Sequence, residues 1–371
     1  MDWKNIFLIS FLIFVSGCIN QNQFANQTFE EYNYTERYNQ TERFYDPYAF
    51  LPECSNQKFT VSPVDVNDIT YIIPLGNLNP PEHTLPTEHM YPQLTSTGID
   101  IKSPGDIKIL RVQTTKYLAE GREDYGLTFA LCKDVYGYFL HIKSLSPEIK
   151  SQITNEICHE TYGDGKYQSC SAEVNIELKA GEMIGKVGDS TQTNFDFGAY
   201  NYRTMLSYVN PSRYSSDRSL NIVCPIELFE SDIKSELYNK VNRRIEPKCG
   251  TPMQDVKGTL QGNWFYGDSA SFSDWTKHLA FVRDNKDPST SVISIGGVFT
   301  QAGRWEFTEN NQGSVNRKFN DVKPDGNIYC YYGNNGQIIV QLLSETELKI
   351  EKQSGSCNRN FLFTNPTVYN R

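Results

Sequence analysis

Short stretches in which hydrophobic and polar residues alternate recur along much of this chain. A period of two residues is typical of half-buried β-strands, because successive side chains of a strand point to opposite faces. The clearest alternations cover 125–132 and 173–178, and 136–142 is a third predicted strand. Pro147 after Ser146 indicates the start of a short helix. The pattern therefore predicts a β-rich region from about 59 to 209.

The hydrophobic period changes behind Pro225. Apolar residues then recur at intervals of three and four positions from Ile226 to Val241. This spacing predicts a helix that connects two folded regions.

Beyond Cys249 the chain again predicts short strands, separated by turn sequences such as Asp325-Gly326 and Asn335-Gly336. Regularly spaced short strands favour one antiparallel barrel or sandwich. The candidate strands are 258–266, 278–283, 292–296, 304–308, 327–332, 338–343, 348–351 and 360–363.

The length of 371 residues favours two folded domains, because a single core rarely grows that large. The predicted fold class is mainly β. The predicted boundaries are a signal peptide at 1–17, a flexible tether at 18–50, a first β domain at 51–215, a connector with a helix at 216–248 and a C-terminal antiparallel β domain at 249–371.

The N-terminus has the features of an export signal. Lys4 precedes an apolar run from Ile6 to Val15, which is too short to span a bilayer but suits a signal peptide. The run ends in Val15-Ser16-Gly17-Cys18, which resembles a prokaryotic lipobox. This resemblance implies lipidation of Cys18 and a membrane-anchored protein on the cell surface or in the envelope. The alternative is an ordinary secretory signal, and the mature chain is exported in both cases.

The tether is polar and shows neither helical nor strand periodicity, so it is expected to be flexible. It contains three Asn-x-Thr triplets, which fit either a glycosylated stalk or an Asn-rich linker. A net charge of -9 argues against a nucleic-acid partner, because phosphate binding requires clustered Lys and Arg. Aromatic residues make up 13% of the chain and would suit stacking against sugars or peptides.

Removing Cys18 from the nine cysteines leaves an even number in an oxidising compartment, which favours disulfides over metal clusters. Many pairings are open on sequence grounds. Proximity along the chain suggests Cys158 with Cys170, Cys224 with Cys249, and Cys330 with Cys357, which leaves Cys54 and Cys132 for each other.

Several short motifs between about Leu75 and Asn201 occur in an order that resembles the lysostaphin-type zinc endopeptidases. The resemblance implies the duplicated hybrid motif fold of that family. It also implies an aspartate and two histidines around a zinc ion whose fourth position stays open for an activated water. The motifs are Gly98-Ile99-Asp100-Ile101, Pro104-Gly105-Asp106, Tyr138-Phe139-Leu140-His141, Ala180-Gly181-Glu182-Met183-Ile184-Gly185 and Thr193-Asn194-Phe195-Asp196-Phe197-Gly198.

Several residues that the family uses for chemistry are replaced here. Asp100 matches the family's aspartate ligand, but Ser96 stands where the histidine four residues earlier is expected. Asn194 and Asp196 occupy the two histidine positions of the last motif, and His141 matches a surviving histidine. The resemblance thus predicts the family's fold with an altered site.

Three interpretations of the function follow as expectations. The first is a noncatalytic binding or scaffolding protein without a cofactor, whose partners are the membrane, through its lipid anchor, and a cell-wall or surface polymer or peptide. The alternative is an active cell-envelope zinc metallopeptidase or amidase. In that case His89, Asp100 and Asp196 would bind zinc, and His141 would act as the catalytic acid or base. A structural protein whose domains bind only each other is a third interpretation.

The C-terminal domain carries a weaker resemblance. Gly262-Asn263-Trp264 on its first predicted strand is similar to the Gly-x-Trp of lipocalin-like barrels. A tryptophan that fills any β core explains this triplet equally well.

Overall fold

A computed structural model describes residues 50–214, 217–268, 270, 272–333, 336–357 and 361–371. The predicted signal peptide, Cys18 and the tether up to residue 49 lie outside the described residues. The described chain is mainly β, as the sequence predicts. It forms a nine-stranded sheet with a small two-stranded companion, and a separate eight-stranded sheet. We refer to 51–250 as the sheet domain and to 251–371 as the barrel.

Antiparallel strands build the sheet domain, and the order across its main sheet is β11-β10-β6-β5-β4-β8-β7, with β9 paired to both β3 and β6. One hydrophobic core runs through this domain, from Leu51 to Cys249. The strands are β1 (Ile69–Ile73), β2 (Tyr91–Leu94), β3 (Ile99–Lys102), β4 (Ile107–Tyr117), β5 (Arg122–Cys132), β6 (Val135–Leu145), β7 (Ile157–Cys158), β8 (Tyr167–Leu178), β9 (Met183–Val187), β10 (Asp196–Asn201) and β11 (Ile222–Val223).

The helices of the described residues are short. Helix α1 (Pro147–Lys150) begins behind Ser146, whose hydroxyl accepts a hydrogen bond from the Ile149 amide at 3.3 Å. Two further helices are α2 (Asp217–Leu220) and α3 (Ser231–Lys240). Short 3-10 turns are Val66–Asp68, Pro211–Arg213, Pro225–Leu228, Trp275–Lys277 and Phe319–Asp321.

The helix predicted from Ile226 to Val241 is shorter in the structure. Pro225–Leu228 forms a 3-10 turn, and α3 begins only at Ser231. The backbone between them bonds to a neighbouring segment instead: the Phe59 amide donates to Leu228 O at 2.9 Å, and the Glu230 amide donates to Phe59 O at 3.0 Å. Tertiary hydrogen bonds therefore interrupt a helical hydrophobic pattern. Leu237 of α3 packs into the core of the sheet domain.

The barrel is an antiparallel meander that closes almost completely. Strands β12 to β15 and β16 to β19 each pair in chain order, and β19 pairs with β12. The remaining ends, β15 and β16, lie next to each other, and Ser314 and Asn316 exchange backbone hydrogen bonds with Cys330 of β16, each 2.8 Å long. The strands are β12 (Gly262–Phe265), β13 (His278–Arg283), β14 (Thr290–Ile295), β15 (Gly303–Thr308), β16 (Tyr329–Gly333), β17 (Gly336–Leu342), β18 (Glu347–Gln353) and β19 (Thr367–Asn370).

The prediction for the last barrel strand is wrong. The described part of 360–363 is not a strand, and closure is made by Thr367–Asn370. Glu351 holds the preceding loop through the amides of Thr364 and Asn365, at 2.8 and 3.1 Å. This anchoring lets the chain reach β12, and Tyr369 is buried in the barrel interior as a result.

Trp264 fills the barrel at its first strand. Its indole N–H donates to Leu260 O at 2.9 Å, and the Arg371 guanidinium lies 4.3 Å from the centre of its ring. Arg371 also donates to Thr259 O at 2.6 Å, so the end of the chain closes over the tryptophan. The arrangement suits either interpretation of the Gly-x-Trp triplet.

Four disulfides link the eight remaining cysteines, and they are the pairs that sequence proximity suggested. Three of them lie in the sheet domain and one in the barrel. They are Cys54–Cys132, Cys158–Cys170, Cys224–Cys249 and Cys330–Cys357.

The outer wall of the barrel packs against the sheet domain. Phe265, Ala280 and Val282, on the outside of β12 and β13, form one apolar cluster with Leu85 and Tyr214 of the sheet domain. Within the described residues, no helix combines the length and apolarity required to cross a membrane.

Candidate functional site

Asp196 opens strand β10 and lies at the centre of a buried group of charged residues. It pairs with Leu140 of β6 and is fully buried. Leu140, Tyr138 and Gln113 share its face of the sheet, which we call the site face. A side-chain carbon at Gly126 would lie 2.9 Å from a methyl carbon of Leu140, so glycine at this position leaves room for the site face.

His141 reaches the site through an irregular backbone. Its φ of 67° lies in the left-handed region, which residues other than glycine rarely adopt. The strand register explains this geometry: Leu127 pairs with Phe139 but Tyr125 pairs with Ile142, so β6 carries one extra residue there. Such a bulge changes the direction of a side chain and is common beside functional sites.

The side chain of His141 bridges two carboxylates. Its Nδ1 lies 3.3 Å from Asp124 Oδ1, and its Nε2 lies 3.7 Å from Asp196 Oδ2. Lys143 Nζ donates to Asp124 Oδ2 at 2.6 Å and to Gln192 Oε1 at 3.3 Å. A row of alternating charge thus runs from Lys143 through Asp124 and His141 to Asp196.

His89 approaches Asp196 from the connection between β1 and β2. Met90 and Phe197 exchange backbone hydrogen bonds of 2.9 and 3.0 Å, which hold this connection against β10. His89 Nε2 consequently lies 3.2 Å from Asp196 Oδ2 and 2.9 Å from the Tyr91 hydroxyl. Both imidazoles therefore face the same carboxylate oxygen.

The two histidines beside Asp196 differ in charge. Burial alone would lower the pKa of His141, but Asp124 and Asp196 outweigh it and raise that pKa above its usual value. Burial, together with the charges of His83, Arg218 and His141, holds the pKa of His89 well below its usual value. The two shifts in pKa therefore favour the cationic form of His141 and the neutral form of His89.

Asp196 itself is easily protonated. Burial raises its pKa to about 7, against the attraction of His141 and Lys143. Among the described residues, none gives either Asp196 oxygen a contact with hydrogen-bond geometry, although both imidazoles are within 3.7 Å. Asp124 differs, because His141 and Lys143 overcome the effect of burial and lower its pKa. Asp124 is the stable anion of the group.

The site face is covered. A cavity of about 70 Å³ separates Tyr138, Leu140 and Gln113 from the barrel residues that line its other side. His83 lies in the same cover, and burial followed by the charge of His141 lowers its pKa to about 4. The barrel contributes Phe272, Trp275 and His278 to the lining.

The sequence singled out four residues, and the structure gathers three of them. His89, His141 and Asp196 come together, but Asp100 on β3 forms an ion pair with Lys186 at 2.5 Å and its side chain is 46% exposed. Across the described ranges, the one group of three His, Cys, Asp or Glu ligand atoms within 4.8 Å of one another is Glu156, Cys158 and Cys170. Two of those are joined in a disulfide. The residues implied as zinc ligands therefore do not fit a zinc site as they stand.

Sequence reasoning missed Asp124 and Lys143. Asp124 directly precedes the alternating stretch 125–132, and Lys143 follows His141 by two positions, so both were visible as polar residues at strand ends. Asp124 contacts His141 and Lys143 contacts Asp124. The contact with His141 depends on the bulge in β6, for which the sequence carries no local signal. No family model and no curated protein matches this sequence.

Proposed function

We propose that this protein is an exported, lipid-anchored protein of the cell envelope. Its sheet domain would be a degenerate, noncatalytic lysostaphin-type peptidase-like domain that binds a surface polymer or peptide or serves as a scaffold. The observation that carries the proposal is the state of Asp196, which stands where the resemblance implies a ligand histidine and is buried between two imidazoles.

The noncatalytic role is supported by comparison with what a zinc peptidase requires. Catalytic zinc needs three converging protein ligands and an open position for water. Here Asp100 is engaged by Lys186 at the surface, whereas Asp196 is fully buried beside His89 and His141. Asp100 and Asp196 are therefore not brought to one metal position. A domain that keeps the motif order without converging ligands favours binding over catalysis.

Export is supported by the disulfides. Cross-links of this number persist in oxidising compartments outside the cytosol. Membrane attachment rests on the lipobox-like sequence ending at Cys18. Replacing Cys18 by Ala should release the protein from the membrane fraction, and unchanged attachment would contradict lipidation.

The binding role is testable with purified full-length protein. We expect cosedimentation with isolated cell-envelope polymer and no cleavage of peptidoglycan or short peptides. Asp196→Asn serves as the matched variant, since it keeps the shape of the side chain and removes its charge. Cleavage that Asp196→Asn abolishes would overturn the proposal, and so would failure to bind any envelope fraction.

One observation favours the metallopeptidase alternative: the Nε2 atoms of His89 and His141 both face Asp196 Oδ2. A modest shift of one side chain would gather three ligand atoms there. We expect zinc analysis of the purified protein to give less than one ion per chain. Stoichiometric zinc that disappears in His89→Ala would establish the alternative.

A further inference from the structure

Strands β5 and β6 separate at one end of the sheet and leave a cleft between them. Their pairing ends at Tyr125 with Ile142, and beyond it β6 keeps, of the described strands, only β9, which lies on its other edge. In the described residues, the strand partners of 122–124 are on β4 alone. An open cleft of about 600 Å³ lies here, with Ser144 and Leu145 on the opposite wall.

Positive charge gathers in this cleft although the chain as a whole is acidic. Four cationic and two anionic side chains line it, against a net charge of -9 for the protein. The apolar part of the lining includes Tyr117, Tyr125 and the exposed Leu118. The charged side chains are Lys116, Arg122, Lys143, Lys150, Glu123 and Asp189.

The two outer cations are held differently. Lys150 is 62% exposed and its Nζ lies 3.4 Å from Glu123; exposed ion pairs of this kind contribute only about 0 to 1 kcal/mol, so an incoming carboxylate can replace Glu123. Arg122 is 29% exposed, with its Nε 2.5 Å from Glu120 and its guanidinium 3.2 Å over the Tyr117 ring, so a carboxylate would add to these contacts and not replace them. Lys143 differs, because its side chain is only 11% exposed and is paired with Asp124 at 2.6 Å.

We propose that this cleft binds an extended acidic peptide as an added strand on the edge of β5. The proposal rests on the binding role above and names its ligand class. An unpaired strand edge supplies backbone hydrogen bonds to an extended chain, and pockets for alternate side chains supply selectivity. A glycan would not need a strand edge, which is why the geometry favours a peptide.

The register predicts where acidic side chains would lie. Glu123 pairs with Lys116, and Arg122 pairs with Tyr117, so these two pairs project to opposite faces of the hairpin. Lys150 contacts Glu123 and therefore adds a second cation to the face on which Glu123 and Lys116 lie. Successive residues of a bound strand would therefore meet cations on opposite faces.

The test is fluorescence anisotropy with full-length protein and a labelled peptide of about seven residues, the length of an ordinary strand, in which Glu-Glu pairs are separated by Val-Val pairs so that both faces carry carboxylates. Lys150→Glu and Arg122→Glu should each weaken binding about tenfold, or about 1.4 kcal/mol. Lys179→Glu is the matched control, because Lys179 is exposed and paired with Asp106 outside the cleft. Thermal melts should show that all three variants are folded.

Two further probes complete the experiment. A peptide with proline at alternate positions lacks the N–H groups that a strand donates, and it should not bind. Equal binding of that peptide, unchanged affinity in Lys150→Glu and Arg122→Glu, or binding of oligogalacturonate in preference to the peptide would each overturn strand addition. If envelope polymer still binds Lys150→Glu normally, this cleft is excluded while the proposed binding role stands.

Discussion

The interior of the barrel and the site face of the nine-stranded sheet are both covered from solvent, yet they bury different side chains. The barrel interior is a continuous apolar cluster that includes Trp264, Phe281 and Ile338. The site face instead buries Asp196 beside His89 and His141. Apolar burial stabilises a fold directly, whereas a buried charge costs free energy unless it is well paired.

This difference assigns different roles to the two domains. The barrel has the core of a structural unit, and its outer wall covers the site face. The charged group of the sheet domain is a weak contributor to stability, because desolvation offsets much of the attraction within a buried ion pair. A charged cluster at that position is therefore better explained by function than by folding.

The first prediction compares the cross-links of the two domains. Cys54–Cys132 spans 78 residues of the sheet domain, whereas Cys330–Cys357 spans 27 residues of the barrel. Closing the longer loop restricts the unfolded chain more, so we expect losses of about 4.5 and 3.5 kcal/mol when each pair is replaced by alanine. Denaturant unfolding of the two double variants measures this. A larger loss for the barrel pair would show that native-state strain, not loop length, dominates.

The second prediction tests whether the barrel core is structural. Trp264→Ala removes a fully buried indole and should cost about 4 kcal/mol. Calorimetry should show that the melting temperature of the barrel falls strongly, while the melting temperature of the sheet domain changes less. Trp264→Phe is the milder control, because it keeps an aromatic ring in the barrel. Equal shifts of both transitions would mean that the two domains unfold as one unit.

Most strands were predictable because alternation survives in a single sequence. The stretches 125–132, 136–142 and 173–178 lie within β5, β6 and β8. The helix behind Pro225 was overestimated because backbone bonds to Phe59 interrupt it. The closing strand was misplaced because closure depends on where β12 lies, which local composition does not encode.

The site was only partly predictable for a similar reason. Motif order brought His141 and Asp196 to attention, and His89 was proposed to fold back toward them. Asp124 lies 17 residues from His141 in sequence and meets it through the bulge in β6. Asp100 is directed to Lys186 by the register of β3 on β9, and no motif reveals that register.

The third prediction concerns pH and the charged group. The folded pKa of Asp196 is raised to about 7 from a usual value of 3.8, so the folded state retains a proton that the unfolded chain releases. Asp196 therefore contributes stability below about pH 4 that is lost as the pH rises to about 7. Asp196→Asn cannot ionise, so its free energy of unfolding should not decrease in this way as the pH rises. At pH 8 the variant should be more stable than the wild type by about 2 kcal/mol.

Denaturant unfolding at pH 4, 6 and 8 checks the sign. His141 must be considered as well, because its raised pKa gives stability that is also lost as the pH rises. The comparison between wild type and Asp196→Asn isolates the carboxylate. If the wild type instead gains stability over Asp196→Asn between pH 4 and 7, Asp196 is ionised and paired with the imidazoles.

The last and smallest effect is expected at Asp100, the other carboxylate that the family resemblance aligned with a zinc ligand. Its partner Lys186 is 55% exposed, and exposed ion pairs contribute about 0 to 1 kcal/mol. Asp100→Ala should therefore leave thermal stability and polymer binding nearly unchanged. The double variant with Lys186→Ala completes a cycle that measures the pair alone. A large coupling energy between Asp100 and Lys186, or a loss of bound zinc in Asp100→Ala alone, would show that Asp100 belongs to the functional site. Asp100 and Asp196 would then no longer differ in role.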